Sequence, residues 1–164
     1  MALQASGAIS LAQIQTEFGG SNPASLSEYY RNGSYVPYHA TTIPTSGAID
    51  FADFYSASNA LQITLSTQTN YNLASDLTNN HSWDGTSAID VILTIPSGVT
   101  ISATSTATPA IVVDLVSGST LIVNNSGTIV GKGGASGAGG ASGNGADGGD
   151  GGHAVLFFLR LITG

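Results

Sequence analysis

Glycine occupies every third position from residue 131 to residue 152, with Ala146 as the exception. Twelve of these 22 residues are Gly, and the rest are short side chains apart from Lys132. Such a period is typical of extended helices with three residues per turn, whose crowded edge excludes a Cβ atom. The segment contains no proline, which disfavours a collagen triple helix.

The period therefore predicts polyglycine-II-like packing, in which neighbouring extended runs exchange backbone hydrogen bonds. The glycines predicted to pack in this way are Gly131, Gly134, Gly137, Gly140, Gly143, Gly149 and Gly152. A flexible glycine–serine linker is the alternative. An apolar strand, 154–162, follows directly and favours the ordered form, and we group residues 131–164 as one segment.

Residues 59–130 alternate apolar and polar side chains in three runs, which predicts β-strands. The apolar positions of these runs are Leu61, Ile63, Leu65, Ile89, Val91, Leu93, Ile95, Ile111, Val113 and Leu115. Glycine-containing turn signals separate the runs at 84–85, 96–98, 117–118 and 124–127. Short strands at this spacing predict either a β-sandwich or a short β-solenoid. The fold class expected for the chain is mainly β, with a small N-terminal module of short helices.

That N-terminal module, residues 1–58, contains an internal repeat. The sequence of 6–14 recurs 40 residues later at 46–54, with Ser10 and Asp50 placed as N-caps of short helical turns. Aromatic residues are concentrated here, which predicts a compact docking module. The residues predicted to serve assembly or docking are Ile9, Leu11, Ile14, Phe18, Tyr29, Tyr30, Phe51 and Phe54.

Charge and composition exclude several classes of function. Charged residues make up 8% of the chain and the formal net charge is -7, so a nucleic-acid partner is not expected. The chain has no Cys, which excludes disulfides. The longest apolar run is too short to span a bilayer, and the start of the chain shows no signal-peptide pattern. We therefore expect synthesis in a cytoplasm and no membrane insertion.

The motifs tested for chemistry indicate a protein that is not an enzyme. Residues 143–148 match a dinucleotide fingerprint, but no helix pattern follows and the match is expected in so glycine-rich a tract. Helix capping explains Asp50 and Asp53 better than acid–base catalysis does. We predict no catalytic set and no cofactor. A cation near Asp147 and Asp150 stays an open alternative to two solvated acids.

Two stretches resemble a known class of proteins. Residues 6–23, with 25–31, resemble the N-terminal segment of many tailed-phage structural proteins, and residues 121–134 look like the distal part of phage tail fibre proteins. The resemblance implies a virion component, a tail fibre or tail-tip subunit that is often a homotrimer. It would be made in the host cytoplasm and docked by its N-terminal end on other tail or baseplate proteins. Its distal end would face a host receptor, as polyglycine-II regions of some phage adhesins do.

Two alternatives belong to other classes. A tailspike-like polysaccharide depolymerase would need two converging carboxylates in a groove of a β-solenoid. An ice-binding polyglycine-II protein would use flat glycine-rich faces, but it would leave the aromatic N-terminal repeat unexplained.

Overall fold

The computed structural model describes residues 2–137 and 147–160, and in these ranges the chain is mainly β with a few short helices. Contacts divide the chain into two compact units, Met1–Leu61 and Gln62–Gly164. The first unit corresponds closely to the predicted N-terminal module. The second unit contains both the predicted β-segment and the glycine-rich segment.

The first unit is built from short helical turns. Helix α1 spans Leu11–Phe18, and 3-10 helices span Leu26–Glu28 and Phe51–Phe54. Both predicted N-caps are confirmed, since Ser10 and Asp50 each form a capping box. A capping box satisfies backbone N–H groups that a helix start would otherwise leave unbonded.

The two copies of the repeat begin with the same backbone conformation, although an α-helix follows in the first copy and a 3-10 helix in the second. Gly7 and Gly47 have φ values of +93° and +89°, a region that suits glycine because it lacks a Cβ atom. Each glycine carbonyl accepts a hydrogen bond from a tyrosine hydroxyl, Tyr55 to Gly7 at 2.6 Å and Tyr30 to Gly47. The repeat therefore encodes the same glycine turn and capping box twice.

In the second unit, nine strands and a second helix lie within the described residues. The strands are β1 Leu61–Thr64, β2 Gln68–Thr69, β3 Tyr71–Asn72, β4 Asp90–Ile95, β5 Thr100–Ser102, β6 Ile111–Val116, β7 Thr120–Asn125, β8 Thr128–Val130 and β9 Val155–Arg160. They form three sheets over these residues, ordered β1-β4-β7, β2-β5-β8 and β3-β6-β9. Each strand lies beside the strand three places later, so the chain passes through the three sheets in turn, three times.

The pairs β2–β5, β3–β6, β4–β7, β5–β8 and β6–β9 are all parallel. Strand β4 alternates buried and half-buried side chains along its whole length, with Val91, Leu93 and Ile95 at 1% exposure or less. This confirms the alternation on which the strand prediction depended. Because the alternate side chains of each strand point to one face, the buried set forms the core.

Helix α2, Leu73–Asn80, lies in the segment predicted to be β-rich, and the sequence analysis did not predict it. The Asn72 Oδ1 atom caps the helix by accepting from the Ser75 N–H at 2.9 Å. Leu73 and Leu77, one helical turn apart, are fully buried. Two apolar residues spaced four apart do not by themselves predict a helix within a segment of alternating strands. The helix is stabilised by burial of the face that carries them.

Candidate functional site

The glycine-rich segment leaves the strand pathway between β8 and β9. On the first pass through the sheets, Asn70 alone separates β2 from β3, and on the second pass residues 103–110 separate β5 from β6. On the third pass the same link runs from 131 to 154. Residues 131–154, which we call the excursion, therefore form a long connection at the position where the first two passes have a short one.

The described halves of this excursion, 131–137 and 147–153, run antiparallel to each other and are joined by two backbone hydrogen bonds. The Gly149 N–H donates to the Ala135 carbonyl at 2.8 Å, and the Gly152 N–H donates to the Lys132 carbonyl at 2.7 Å. The two hydrogen bonds are three residues apart in each half, from 149 to 152 in one and from 135 to 132 in the other. The hydrogen bonding thus has the same period as the glycines.

Space around the Cα atoms follows this period in part. A Cβ at Gly131 or Gly134 would overlap the carbonyl oxygen of Gly152 or Gly149, whereas a Cβ at Gly133 would meet nothing within 4 Å. None of these residues has φ in the left-handed region, so contact with neighbouring backbone creates the requirement.

Gly152 is also crowded, because a Cβ there would lie 2.7 Å from the backbone of Thr106 in the preceding pass. Gly149 is less restricted, with 3.4 Å to the nearest atom. Gly140 and Gly143 lie outside the described residues. Gly152 thus packs against the connection between β5 and β6.

The strands of the third pass expose large apolar side chains. Strands β7, β8 and β9 each form an edge of their sheet. The exposed large apolar residues on them, with their exposed fractions, are Ile122 56%, Val123 42%, Val130 43%, Phe157 63% and Phe158 51%.

The register relates this surface to the core. Val123 pairs with Leu93, which is 1% exposed, and Phe157 pairs with Val113, which is 5% exposed. In a parallel ladder, paired residues point to the same face of adjacent strands. Val123 and Phe157 therefore continue two buried columns, and within a single chain both side chains stay accessible. An edge strand with accessible apolar side chains is suited to pairing or packing with another chain.

The predicted docking residues of the first unit divide into two groups. Ile9, Ile14, Phe18, Tyr29 and Phe54 belong to the buried core, and the Phe54 ring lies 6.2 Å from the Phe18 ring and 6.4 Å from the Tyr29 ring. These five side chains stabilise the unit from inside. Leu11 and Tyr30 are half-buried and Phe51 is 41% exposed, so a docking role stays a prediction for these three.

Ionisable groups of the second unit serve local structure. The Ser87 hydroxyl and backbone N–H and the Thr86 N–H donate to the Asp84 carboxylate at 2.5 to 2.8 Å, and this lowers the pKa of Asp84 to about 2. Burial, together with the Asp76 carboxylate that accepts its hydrogen bond, raises the pKa of Tyr71. Both arrangements fix a turn or a helix end.

Metal ligands do not converge in the part of the chain that the structure describes, where no three His, Asp or Glu side chains come together. Asp147 and Asp150 are exposed there. Within the same ranges, no helix has the length and apolarity needed to cross a membrane.

Comparison with known proteins gives one match. A family model described as phage tail fibre adhesin Gp38 matches residues 60–161, which is more than half of the chain. Neither the curated proteins nor the solved structures yield a match.

Proposed function

Since the chain belongs to the Gp38 family of phage tail fibre adhesins, we propose that it is a virion component that attaches the phage to its host by the glycine-rich excursion. One observation carries this assignment. The two described halves of the excursion share hydrogen bonds every three residues, and a Cβ at Gly131 or Gly134 would overlap the opposite backbone. Such a pair is a stiff support with few side chains. We propose that it forms the base of a polyglycine-II-like element that faces the receptor.

The strands form the shaft beneath it. The repeated order of strands through three parallel sheets supports a short β-solenoid of three turns over the sandwich alternative, because sandwiches are built from antiparallel sheets. A solenoid stacks its repeats along one axis, so each turn contacts mainly its neighbours.

Assembly uses the third turn of this solenoid. Its uncovered apolar residues, Ile122 and Phe157 among them, favour burial against identical neighbours in a homotrimer. The first unit docks on other tail or baseplate proteins through Leu11, Tyr30 and Phe51, the accessible part of its repeat.

Attachment in this proposal cleaves no bond. The shifted carboxyl described above, Asp84, is held in a turn by three donors to its oxygens, an arrangement suited to local structure. Host polysaccharide incubated with the full chain should keep its length by size-exclusion chromatography, and shortened chains would contradict this part of the proposal.

Adsorption of virions tests the attachment role. The full chain, added to cells of the strain on which the phage plates, should bind them and slow phage adsorption as its concentration rises. Virions lacking the protein should adsorb poorly. If those virions adsorb at the normal rate, the adhesin assignment of this chain is wrong.

A further inference from the structure

A cleft outside the glycine-rich excursion lies between helix α2 and strand β6. Its volume is about 290 Å³, and α2 packs against β6 along one side of it. Asp114 belongs to β6 and lies between the buried Val113 and Leu115, so it points away from the core and towards the cleft.

Hydroxyl and amide side chains come from half of the residues that line the cleft. Asn72, Ser75 and Asn79 succeed one another at intervals of three and four residues, which places them on one face of the helix and its cap. Thr78 adds a second hydroxyl, whose Oγ1 donates to the Ala74 carbonyl at 2.9 Å and can still accept from a ligand. Of the described residues that line the cleft, none is cationic.

An aromatic ring completes the wall. Trp83 is 3% exposed, and its indole Nε1 donates to the Ser87 carbonyl at 2.8 Å, which fixes the orientation of the ring. Ser87 belongs to the turn that the Asp84 carboxylate holds. The wall is therefore preorganised before any ligand arrives, which reduces the entropy lost on binding.

A second ring lies beside the cleft. Phe158 on β9 pairs in register with Asp114 on β6, so the two side chains share one face of adjacent strands about 4.8 Å apart. Phe158 is 51% exposed. The register thus places an accessible ring next to a carboxylate and a row of amides and hydroxyls.

We propose that this cleft binds one saccharide unit of a host surface glycan, an inference that rests on the proposed adhesin function. Sugar hydroxyls donate to Asp114 and exchange hydrogen bonds with Asn72, Ser75 and Asn79, while the apolar face of the sugar ring packs on the accessible Phe158 ring. The volume suits a single sugar ring, since pockets for drug-sized ligands begin at about 300 Å³. The lack of a cation in the lining disfavours phosphate or sulfate groups.

Intrinsic fluorescence tests the proposal directly, because Trp83 is the one tryptophan of the chain. The full chain is titrated separately with glucose, galactose, mannose and N-acetylglucosamine. At least one sugar should change the emission saturably. If all four leave it unchanged, the proposal is overturned.

Two variants locate the binding. Asn79→Ala and Asp114→Asn should each weaken the affinity for the titrated sugar about tenfold, the effect of losing one hydrogen bond. Asn124→Ala, an exposed amide on β7 away from the cleft, is the matched control and should leave the affinity unchanged. Equal affinities for all three variants would show that the sugar binds elsewhere, which overturns the proposal. Thermal unfolding checks that each variant folds, and Ser75→Ala replaces any that does not.

Adsorption separates this inference from the adhesin assignment. A chain that blocks adsorption but binds none of the sugars overturns the cleft and leaves the adhesin role intact. A chain that binds a sugar through the cleft but fails to block adsorption supports the cleft and contradicts the adhesin role.

Discussion

At the scale of single residues, adjacent glycines of the excursion differ in what surrounds their Cα atoms. Gly134 faces the Gly149 carbonyl across the paired halves, while Gly133 faces open space. The two residues are identical in type, but only Gly134 lies in contact with neighbouring backbone. The pair therefore allows a direct test of whether the period of three reflects ordered structure.

We expect Gly134→Ala to loosen the excursion and Gly133→Ala to leave it intact. The first change forces a methyl group into backbone and should destabilise the pairing by about 1–3 kcal/mol. The second should be neutral or slightly stabilising, by up to about 1 kcal/mol, because alanine restricts the unfolded chain. Hydrogen exchange of the Gly149 and Gly152 N–H groups measures the difference. Equal protection in both variants would favour the flexible-linker alternative.

A second residue-scale prediction concerns the turn at Asp84. Its folded pKa of about 2 lies below the ordinary value of 3.8, so the charged form favours the folded turn. This contribution is present above about pH 4 and is lost as the pH falls towards 2. The Thr86 and Ser87 amide resonances should shift with a midpoint near pH 2, and Asp84→Asn should abolish that shift. A midpoint near 3.8 would contradict the assignment.

At the scale of elements, two paired strands that both carry apolar side chains differ in how far those side chains are buried. Strands β4 and β7 pair along six residues, yet β4 alternates with buried side chains and β7 has none that is buried. The difference comes from position, because β4 lies between two strands and β7 at an edge.

We therefore expect Leu93→Ala on β4 to destabilise the chain far more than Ile122→Ala on β7. Leu93 is 1% exposed, and its truncation leaves a cavity that should lower the free energy of unfolding by about 2–5 kcal/mol. Ile122 is 56% exposed, so its truncation should change that free energy by about 0.5 kcal/mol at most. Urea unfolding of dilute protein, followed by Trp83 fluorescence, compares the two. Similar losses would mean that Ile122 is buried in the species measured.

At the scale of the whole molecule, the two compact units differ in how they build their hydrophobic cores. The first builds a hydrophobic core from aromatic residues and helical turns, and the second builds one from parallel strands. The accessible apolar residues of the third pass give the second unit a surface on which copies of the chain can meet.

The trimer proposed above is tested by light scattering. The full chain should have about three times its monomer mass of 16.4 kDa. Replacing Ile122 and Phe157 together by Ser should reduce the mass towards the monomer, because it removes apolar area that association buries. Phe51→Ser, at an exposed aromatic residue of the first unit, is the control and should leave the mass unchanged. A monomeric wild-type chain would contradict the trimer.

Much of the local structure followed from sequence. The N-caps Ser10 and Asp50 and the strand β4 were predictable because each depends on neighbours a few residues away. The three-residue glycine period likewise predicted crowding, which the structure shows at Gly131 and Gly134.

Tertiary structure decided the features that depend on distant neighbours. It made 73–80 a helix, since Leu73 and Leu77 gain stability by burial in the folded unit. It placed Ile14 and Phe54 together in one hydrophobic core. It brought Gly149 opposite Gly134, and Phe158 beside Asp114, by the return of the chain and the register of the strands. The glycine period and the helix and strand propensities depend on residues close in sequence. Burial and the contacts between segments depend on which segments the fold brings together.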